Sequence, residues 1–574
     1  LSLNNELHFT YHTIIIYYMI EETLYYTKYD NKKLFNSFKK IKCYNLQNYI
    51  PLYKKYFSLS KQNWNNINLN HKYHIKNIHS ITSDTTINCS IHNSNDLKEV
   101  FLKYSPLIDP TKLLMGKYKK QPDLYKLPSF DDNTVPIYDD MNNVAYIDSF
   151  FTYLSSKLKD TYNFIHSIQF YGSFLGIKHN FQYDIIDDLE FLQQSSYFAS
   201  NLDKFKINHS YLLELLNHDT RKNKYNLSIS DNETEIHSIH YLNDEFNLKQ
   251  QNAENQETKD ISMIYQYDLT KKTTTSSSNS TNYNSHCSSR ISLSDQSHNS
   301  NISSETSSEE DESIDDQELF VSIDKMPVQI IAMEQMTDTL DKYIIEKHEM
   351  ISEREWLSIL FQVVINLLVY QEMFNFTHND LHTNNIMYVE TDIKYLYYKY
   401  DNTYWKIPTY GKIYKIIDFG RSIYTYKGVK HVSSSFEHRN DAGGQYNIEP
   451  YYDPNKPLID INYSFDLCRL GCALYDFFKD DITVCLNKQK QPPLFLQMIM
   501  SWVLDDKGKN ILYKSNGKER YPGFKLYKMI TRLVHNHTPQ NQFKQGYFNQ
   551  FKISKRNIHK SKYSRIQNID KMLK

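Results

Sequence analysis

Two carboxylates and one carboxamide in the second half of the chain have the types and spacing for work on a charged ligand. Asp380 and Asn385 stand five residues apart within the run His378-Asn379-Asp380-Leu381-His382-Thr383-Asn384-Asn385. Asp418 follows the apolar run 413–417 and precedes Phe419 and Gly420, where the chain can turn sharply. Such residues suit transfer of a phosphoryl group from a nucleoside triphosphate. The triphosphate travels with Mg²⁺, a hard cation that takes oxygen ligands and only one or two protein carboxylates. A further carboxylate must orient the attacking hydroxyl and accept its proton. Because the transition state is loose, positioning and electrostatics do most of the work. Asn385 and Asp418 fit the cation, and Asp380 fits the hydroxyl.

The surrounding pattern supplies elements that could hold these residues. A helix is expected from Ser352, which with Glu355 forms a capping box. Its apolar positions Trp356, Ile359, Leu360, Val363, Val364, Leu367 and Leu368 recur at helical spacing. Strands at 386–389 and 413–417 follow, so Asp380 lies on a loop fixed at both ends. Upstream, 73–78, 85–91 and 99–104 are short β-prone runs, with turn residues at 93–96. Residues 144–158 carry Ile147, Phe150, Phe151, Leu154 and Leu158 on one helical face. The run 165–177 reads as two strands around a turn, and 328–333 as another strand.

Residues 215–318 are rich in Ser, Thr and Asn and end in an acidic run. Too few apolar side chains remain there to offset the entropy of ordering, so a disordered insertion is expected. Ser303, Ser304, Ser307 and Ser308, just before the acidic run, are candidate phosphoacceptors. Strands with one helix, an insert, and then a mostly helical half describe an α+β protein of two lobes. The divisions are an extension of unknown structure at 1–74, a first lobe at 75–214, the insertion at 215–318, a second lobe at 319–540 and a basic tail at 541–574. From Lys544 that tail holds nine Lys and Arg against Asp570 alone. It reads as solvated or frayed, or alternatively as an arm that docks an acidic partner.

His378 to Asn385 followed by Ile416-Ile417-Asp418-Phe419-Gly420 resembles the catalytic loop (HRDLxxxxN) and the metal-binding DFG of eukaryotic-type protein kinases. Asp466, 48 residues beyond Asp418, opens Asp466-Leu467-Cys468-Arg469-Leu470-Gly471. This is similar to the family's DxWxxG helix start, with Cys468 in place of Trp, and implies that Asp466 braces the catalytic loop. The resemblance implies a bilobal serine/threonine protein kinase using ATP and Mg²⁺, with Asp380 as base and Asn385 and Asp418 as metal ligands. Lys103 would hold the α- and β-phosphates, with Lys98 and Lys112 as alternatives, and Asp148 would pair with it. Met333 would be the gatekeeper and Glu334 to Met336 the hinge that binds adenine. His382 stands where many such kinases have Lys. It would either contact the transferred phosphate as a pH-sensitive donor or serve as a hydrogen-bonded loop residue.

Three departures accompany the likeness. Residues 79–85 contain no glycine, Asn379 replaces the usual Arg, and Asn447-Ile448-Glu449-Pro450 is a poor substitute for APE. The missing glycines put phosphate capture by backbone N–H groups in doubt. Without the Arg, an activation-loop phosphate would lack a cationic partner there. The stretch from Asn385 to Asp418 spans 33 residues and contains an alternating strand pair, 395–407, with a turn at Asp401-Asn402. With His382 in place of Lys, this is similar to haspin-type kinases and to the serine/threonine kinases of giant DNA viruses. Rival readings are a small-molecule kinase of the aminoglycoside or choline type, and a pseudokinase scaffold.

Composition excludes other classes. Lys and Arg number 66 and Asp and Glu 67, for a net charge of −1, which argues against a protein that coats nucleic acid along its length. No apolar run reaches the ~18 residues that span a bilayer, the best being 13–20 with two tyrosines, so no membrane span is expected. The six cysteines contain no CxxC pair, so neither a zinc framework nor a disulfide scaffold is expected, and a reducing compartment such as the cytoplasm fits. In a viral protein this would be the host cytoplasm or the virion. The 49 tyrosines follow from AT-rich codon usage rather than from nucleic-acid stacking.

Overall fold

A computed structural model describes residues 24–207 and 319–573, apart from short gaps at 25, 29–30, 71, 131–134, 190–191 and 193. The insertion expected at 215–318, with its four candidate phosphoserines, lies outside the described residues. The fold is α+β. Its main sheet is antiparallel and built from β1 (Cys43–Gln47), β2 (Ile75–Ile81), β3 (Thr86–Ile91), β4 (Leu97–Pro106), β5 (Phe170–Asp184) and β6 (Phe320–Glu334), in the spatial order β1-β5-β6-β4-β3-β2, with the short strand Lys206–Ile207 paired to β6. Helix α1 (Val144–Tyr162) lies between β4 and β5 in sequence and packs on the sheet. Asn143 caps its start by accepting from Ala145 N–H, and Asn163 ends it with φ 55°.

Two sequence expectations change here. The run 165–177 is not a strand pair around a turn. Its strand portion belongs to one long strand, β5, which pairs with β6 from Phe170–Asp184 to Phe320–Glu334. The glycines that read as turn residues serve other purposes. Gly172, with φ 143°, sits where the register shifts, and Gly176 admits β1, because a Cβ there would lie 3.3 Å from Tyr44 O. The first seventy residues, which show no clear periodicity, supply the edge strand β1 and a helix, Lys32–Phe38, whose Phe38 is fully buried.

The second half centres on α3 (Glu353–Phe374), preceded by α2 (Leu340–Lys347). Helix α3 is long and apolar enough to cross a membrane, a feature that a search for uninterrupted apolar runs passes over. Almost all of its apolar stretch is buried inside the protein instead. Ser352 Oγ accepts from Glu355 N–H at 3.2 Å, as a capping box requires, but the Glu355 carboxylate turns to Tyr343 OH at 2.8 Å. After α3 come β7 (Ile386–Glu390), the hairpin β8 (Tyr395–Tyr400) and β9 (Thr403–Pro408), and β10 (Lys412–Ile416), which pairs with β7. Asp401 and Asn402 take φ 48° and 55°, the left-handed pair that a two-residue hairpin turn demands. A second hairpin, β11 (Ile423–Tyr426) and β12 (Val429–Val432), follows. The helices α4 (Phe465–Phe477), α5 (Leu494–Trp502) and α6 (Lys525–Leu533) follow, with further helices at Lys479–Asn487 and Pro539–Lys544.

The basic tail is folded against the hairpin rather than frayed. Residues 552–553 pair with β9 and 566–568 pair with β8. Phe551, Ile569 and Met572 are buried, and Phe361 of α3 meets Phe543, Phe548 and Phe551 with ring centroids 5.0–6.4 Å apart. Lys544, Lys552, Lys555 and Lys571 are exposed around this apolar seam, so a charge count alone hides it.

Candidate functional site

The site forms where the end of the sheet meets the loops after α3 and β10. Lys103 on β4 faces the interior and is 6 % exposed. Its Nζ lies 2.7 Å from Asp148 Oδ2 on α1 and 3.0 Å from Asp418 Oδ1. Burial pulls the Lys103 ammonium down, but the two carboxylates more than offset this and hold its pKa above the ordinary lysine value. Burial pushes the Asp148 carboxyl up, against the pull of Lys103. Asp148 also accepts from Phe419 N–H at 2.9 Å and from Ser105 OH at 3.3 Å, tying α1 to the turn that carries Asp418. Asp418 itself has φ 62°, a left-handed conformation that Asp and Asn tolerate better than other non-glycine residues.

The loop 378–385 is anchored from below and from the side. Asp466, at the start of α4, accepts from His378 N–H at 2.9 Å and from Asn379 N–H at 2.8 Å. Burial pushes this carboxyl up to about 6. His378 Nε2 donates to Ile417 O at 2.8 Å and Ile417 N–H donates to Asn385 O at 3.0 Å, which joins the loop to the strand end before Asp418. Asn379 has φ 65° and is fully buried. Its amide nitrogen donates to Thr377 and Arg421 backbone oxygens, and its Oδ1 accepts from Tyr446 OH at 2.6 Å. A neutral internal hub thus sits at position 379.

Asn385 Nδ2 donates to Asp380 O at 2.9 Å and to His382 Nε2 at 3.1 Å, which leaves its Oδ1 as the atom to face a cation. The His382 ring is buried and its pKa is lowered to about 4 by desolvation, so it is neutral at pH 7. With Nε2 accepting from Asn385, it orients that amide. Asp380 is 3 % exposed, and burial alone would raise its carboxyl. Arg421, His382, Arg469 and the Tyr527 hydroxyl outweigh burial and hold it below the usual carboxylate range.

At the end of β6, Met333 lies opposite Phe101 of β4 and Phe170 of β5. Glu334 turns inward, accepting from Gln169 N–H at 2.7 Å and pairing with Lys415 at 2.5 Å. Desolvation lowers Lys415 to about 8 despite that partner, while Lys415 and Lys159 overcome burial to hold Glu334 below its ordinary value. Met336 is buried in the turn that follows. The turn 82–85 between β2 and β3 spends most of its N–H groups on itself. Thr82 and Ser83 N–H donate to Thr86 O, and Thr85 and Thr86 N–H donate to Ser83 Oγ.

Sequence reading missed Arg421, Arg469 and Tyr527, all of which lie around Asp380. Arg469 carried a signal, because it is a charge one turn after Asp466 on a helix face otherwise made of Leu and Cys. Tyr527, 147 residues from Asp380, carried none.

No family model matches the sequence. A stretch of 99 residues is 31% identical to a protein named Probable kinase 098L from Invertebrate iridescent virus 3, covering 17% of this chain and 18% of that protein. The chain therefore matches less than a fifth of that relative's length.

Proposed function

We propose that the chain is a phosphotransferase with the bilobal fold of protein kinases, moving the γ-phosphoryl group of ATP to a serine or threonine hydroxyl of a protein. The observation that carries this reading is the bridge from Lys103 to both Asp148 and Asp418, beside a loop that holds Asp380 and Asn385. A viral relative named as a probable kinase agrees with phosphotransfer, and action in a host cytoplasm or virion is part of the same proposal. In this reading Asp380 accepts the proton of the attacking hydroxyl, whose oxygen bonds to phosphorus as ADP leaves. Lys103 neutralises phosphate charge. Asn385 Oδ1 and the Asp418 carboxylate are the hard oxygen donors that would hold Mg²⁺. When bound, that ion offsets the negative charge on the phosphate oxygens. Met333, Glu334 and Met336 border the adenine side, and His382 keeps the Asn385 amide turned.

The test is Mg²⁺-dependent transfer of labelled phosphate from ATP to casein, with small alcohols and aminoglycosides offered in parallel. Asp380→Asn and Asp418→Ala are each expected to reduce transfer by ~100-fold or more while the protein stays folded. Wild-type turnover in either variant overturns the site assignment, and labelling of the small alcohols alone overturns the protein substrate. A second reading, a scaffold with little or no transfer, is favoured by the turn 82–85, which has no glycine and whose Thr82, Ser83 and Thr85 N–H groups are already bonded. A thermal shift with ATP that does not depend on Mg²⁺, with no labelled product, would support it.

A further inference from the structure

Resting on the phosphotransfer reading, we infer that Tyr527 is a positioning residue that fixes the Asp380 carboxylate so that one oxygen is left for the acceptor hydroxyl. Tyr527 OH donates to Asp380 Oδ1 at 2.8 Å and accepts from Arg469 Nε at 2.8 Å. Its ring is held on two sides by aromatic neighbours, Phe465 at 5.8 Å and Phe524 at 5.2 Å between centroids. The guanidinium groups of Arg469 and Arg421 lie 5.3 and 5.9 Å from its centroid. All three polar side chains of the chain Arg469–Tyr527–Asp380 are buried.

A carboxylate on a single methylene can rotate, and a base whose oxygens wander loses much of the advantage of a preset geometry. Tyr527 removes that freedom. Its hydroxyl takes Oδ1, and Arg469 Nε directs the phenol proton toward Asp380 by occupying the phenol's lone pair. Among the described residues Oδ2 accepts no hydrogen bond, the nearest cation being Arg421 at 3.8 Å. Oδ2 is thus the oxygen that meets the substrate. The device joins α6, near the far end of the fold, to the loop after α3 through α4, so three elements must be assembled before the base is set.

Tyr527→Phe tests this, because it keeps the ring between Phe465 and Phe524 and removes only the hydroxyl. For phosphate transfer to casein, kcat is expected to fall about tenfold, as loss of a hydrogen bond to a charged group implies. KM for ATP should stay within about twofold, since the phenol does not reach the nucleotide-binding groups. The melting midpoint should hold. In an Arg469→Lys background the same change should cost less, because Arg469 acts through the phenol. Unchanged kcat in Tyr527→Phe overturns the inference, and so does a rise, which would mark the phenol as blocking the base. A fall in kcat accompanied by a matching rise in KM and a lower melting midpoint also overturns it, since that pattern belongs to a purely structural role. If the wild-type chain labels neither casein nor any small alcohol, the phosphotransfer reading fails and takes this inference with it. Normal activity in Tyr527→Phe sinks the inference alone.

Discussion

At Lys103 a single cation is buried between two anions, and that arrangement sets the character of the site. Taking three charges out of water is expensive, and mutual attraction offsets the cost only when the geometry is close and further hydrogen bonds are made. Both conditions are met, with contacts of 2.7 and 3.0 Å and additional donors to Asp148 from Phe419 and Ser105. Elsewhere the core buries neutral histidines. His166 donates from Nδ1 to Tyr414 O at 2.7 Å and accepts at Nε2 from Tyr398 OH at 2.7 Å, and desolvation lowers its pKa to about 4. His431 is held well below the ordinary imidazole value for the same reason. A folded-state pKa below the unfolded value of about 6.5 gives stability that is complete above that pH and is lost as pH falls toward the folded value. In urea unfolding between pH 7.5 and pH 5, each such histidine should therefore contribute a fall of up to about 1.4 kcal/mol per pH unit, while Asp466, its carboxyl raised to about 6, contributes with the opposite sign. His166→Gln should flatten that slope, and an unchanged slope would remove His166 from the account.

At the scale of elements, the decisive contacts lie at helix starts and crossings. Asp466 begins α4 and spends both carboxylate oxygens on the loop that carries Asp380. Five residues on, Gly471 is where α4 meets α5, and a Cβ there would stand 2.7 Å from Trp502 Cβ. Trp502 is fully buried and its Nε1 donates to Gln542 at 2.8 Å, so it has little room to yield. Gly471→Ala is expected to destabilise by about 1–3 kcal/mol, the usual cost of overpacking a close contact. The urea midpoint measures it, and a stability equal to wild type would show that the crossing is looser than the distances imply.

Over the whole molecule, segments remote in sequence close the structure around the site. Tyr56, from the first seventy residues, contacts His431 of the β11–β12 hairpin at 2.5 Å and stacks at 5.3 Å on Phe150 of α1. The tail does the same for the other hairpin. Asp570 accepts from Asp401 N–H at 2.7 Å and from Asn402 N–H at 3.2 Å, and its pKa is lowered because Lys399 and these N–H donors outweigh desolvation. A chain ending at residue 545 should lose at least about 3 kcal/mol, since burial of two or three large apolar side chains goes with the tail. Its melting midpoint against the full chain gives the answer, and equal midpoints would return the tail to the role of a solvated appendage.

Much of this was written locally. The loop and turn holding Asp380, Asn385 and Asp418, the helix beginning after Ser352, and the hairpin turn at Asp401-Asn402 rest on short-range patterns: a spacing of five, a 3.6-residue period, and a pair of residues tolerant of positive φ. The choice of Lys103, and of Asp148 as its partner, needed the family resemblance as well as the apolar strand. Tertiary structure alone decided that β5 is one strand with a bulge, because a ladder with β6 can absorb glycines that in isolation read as a turn. It alone decided that a tail with nine cations packs, since the few apolar residues among them find a hydrophobic seam up to 190 residues away. Of the ring around Asp380, Arg421 and Tyr527 belong to the same class. Such contacts leave no periodic trace in the sequence, because the residues are brought together by burial of other side chains.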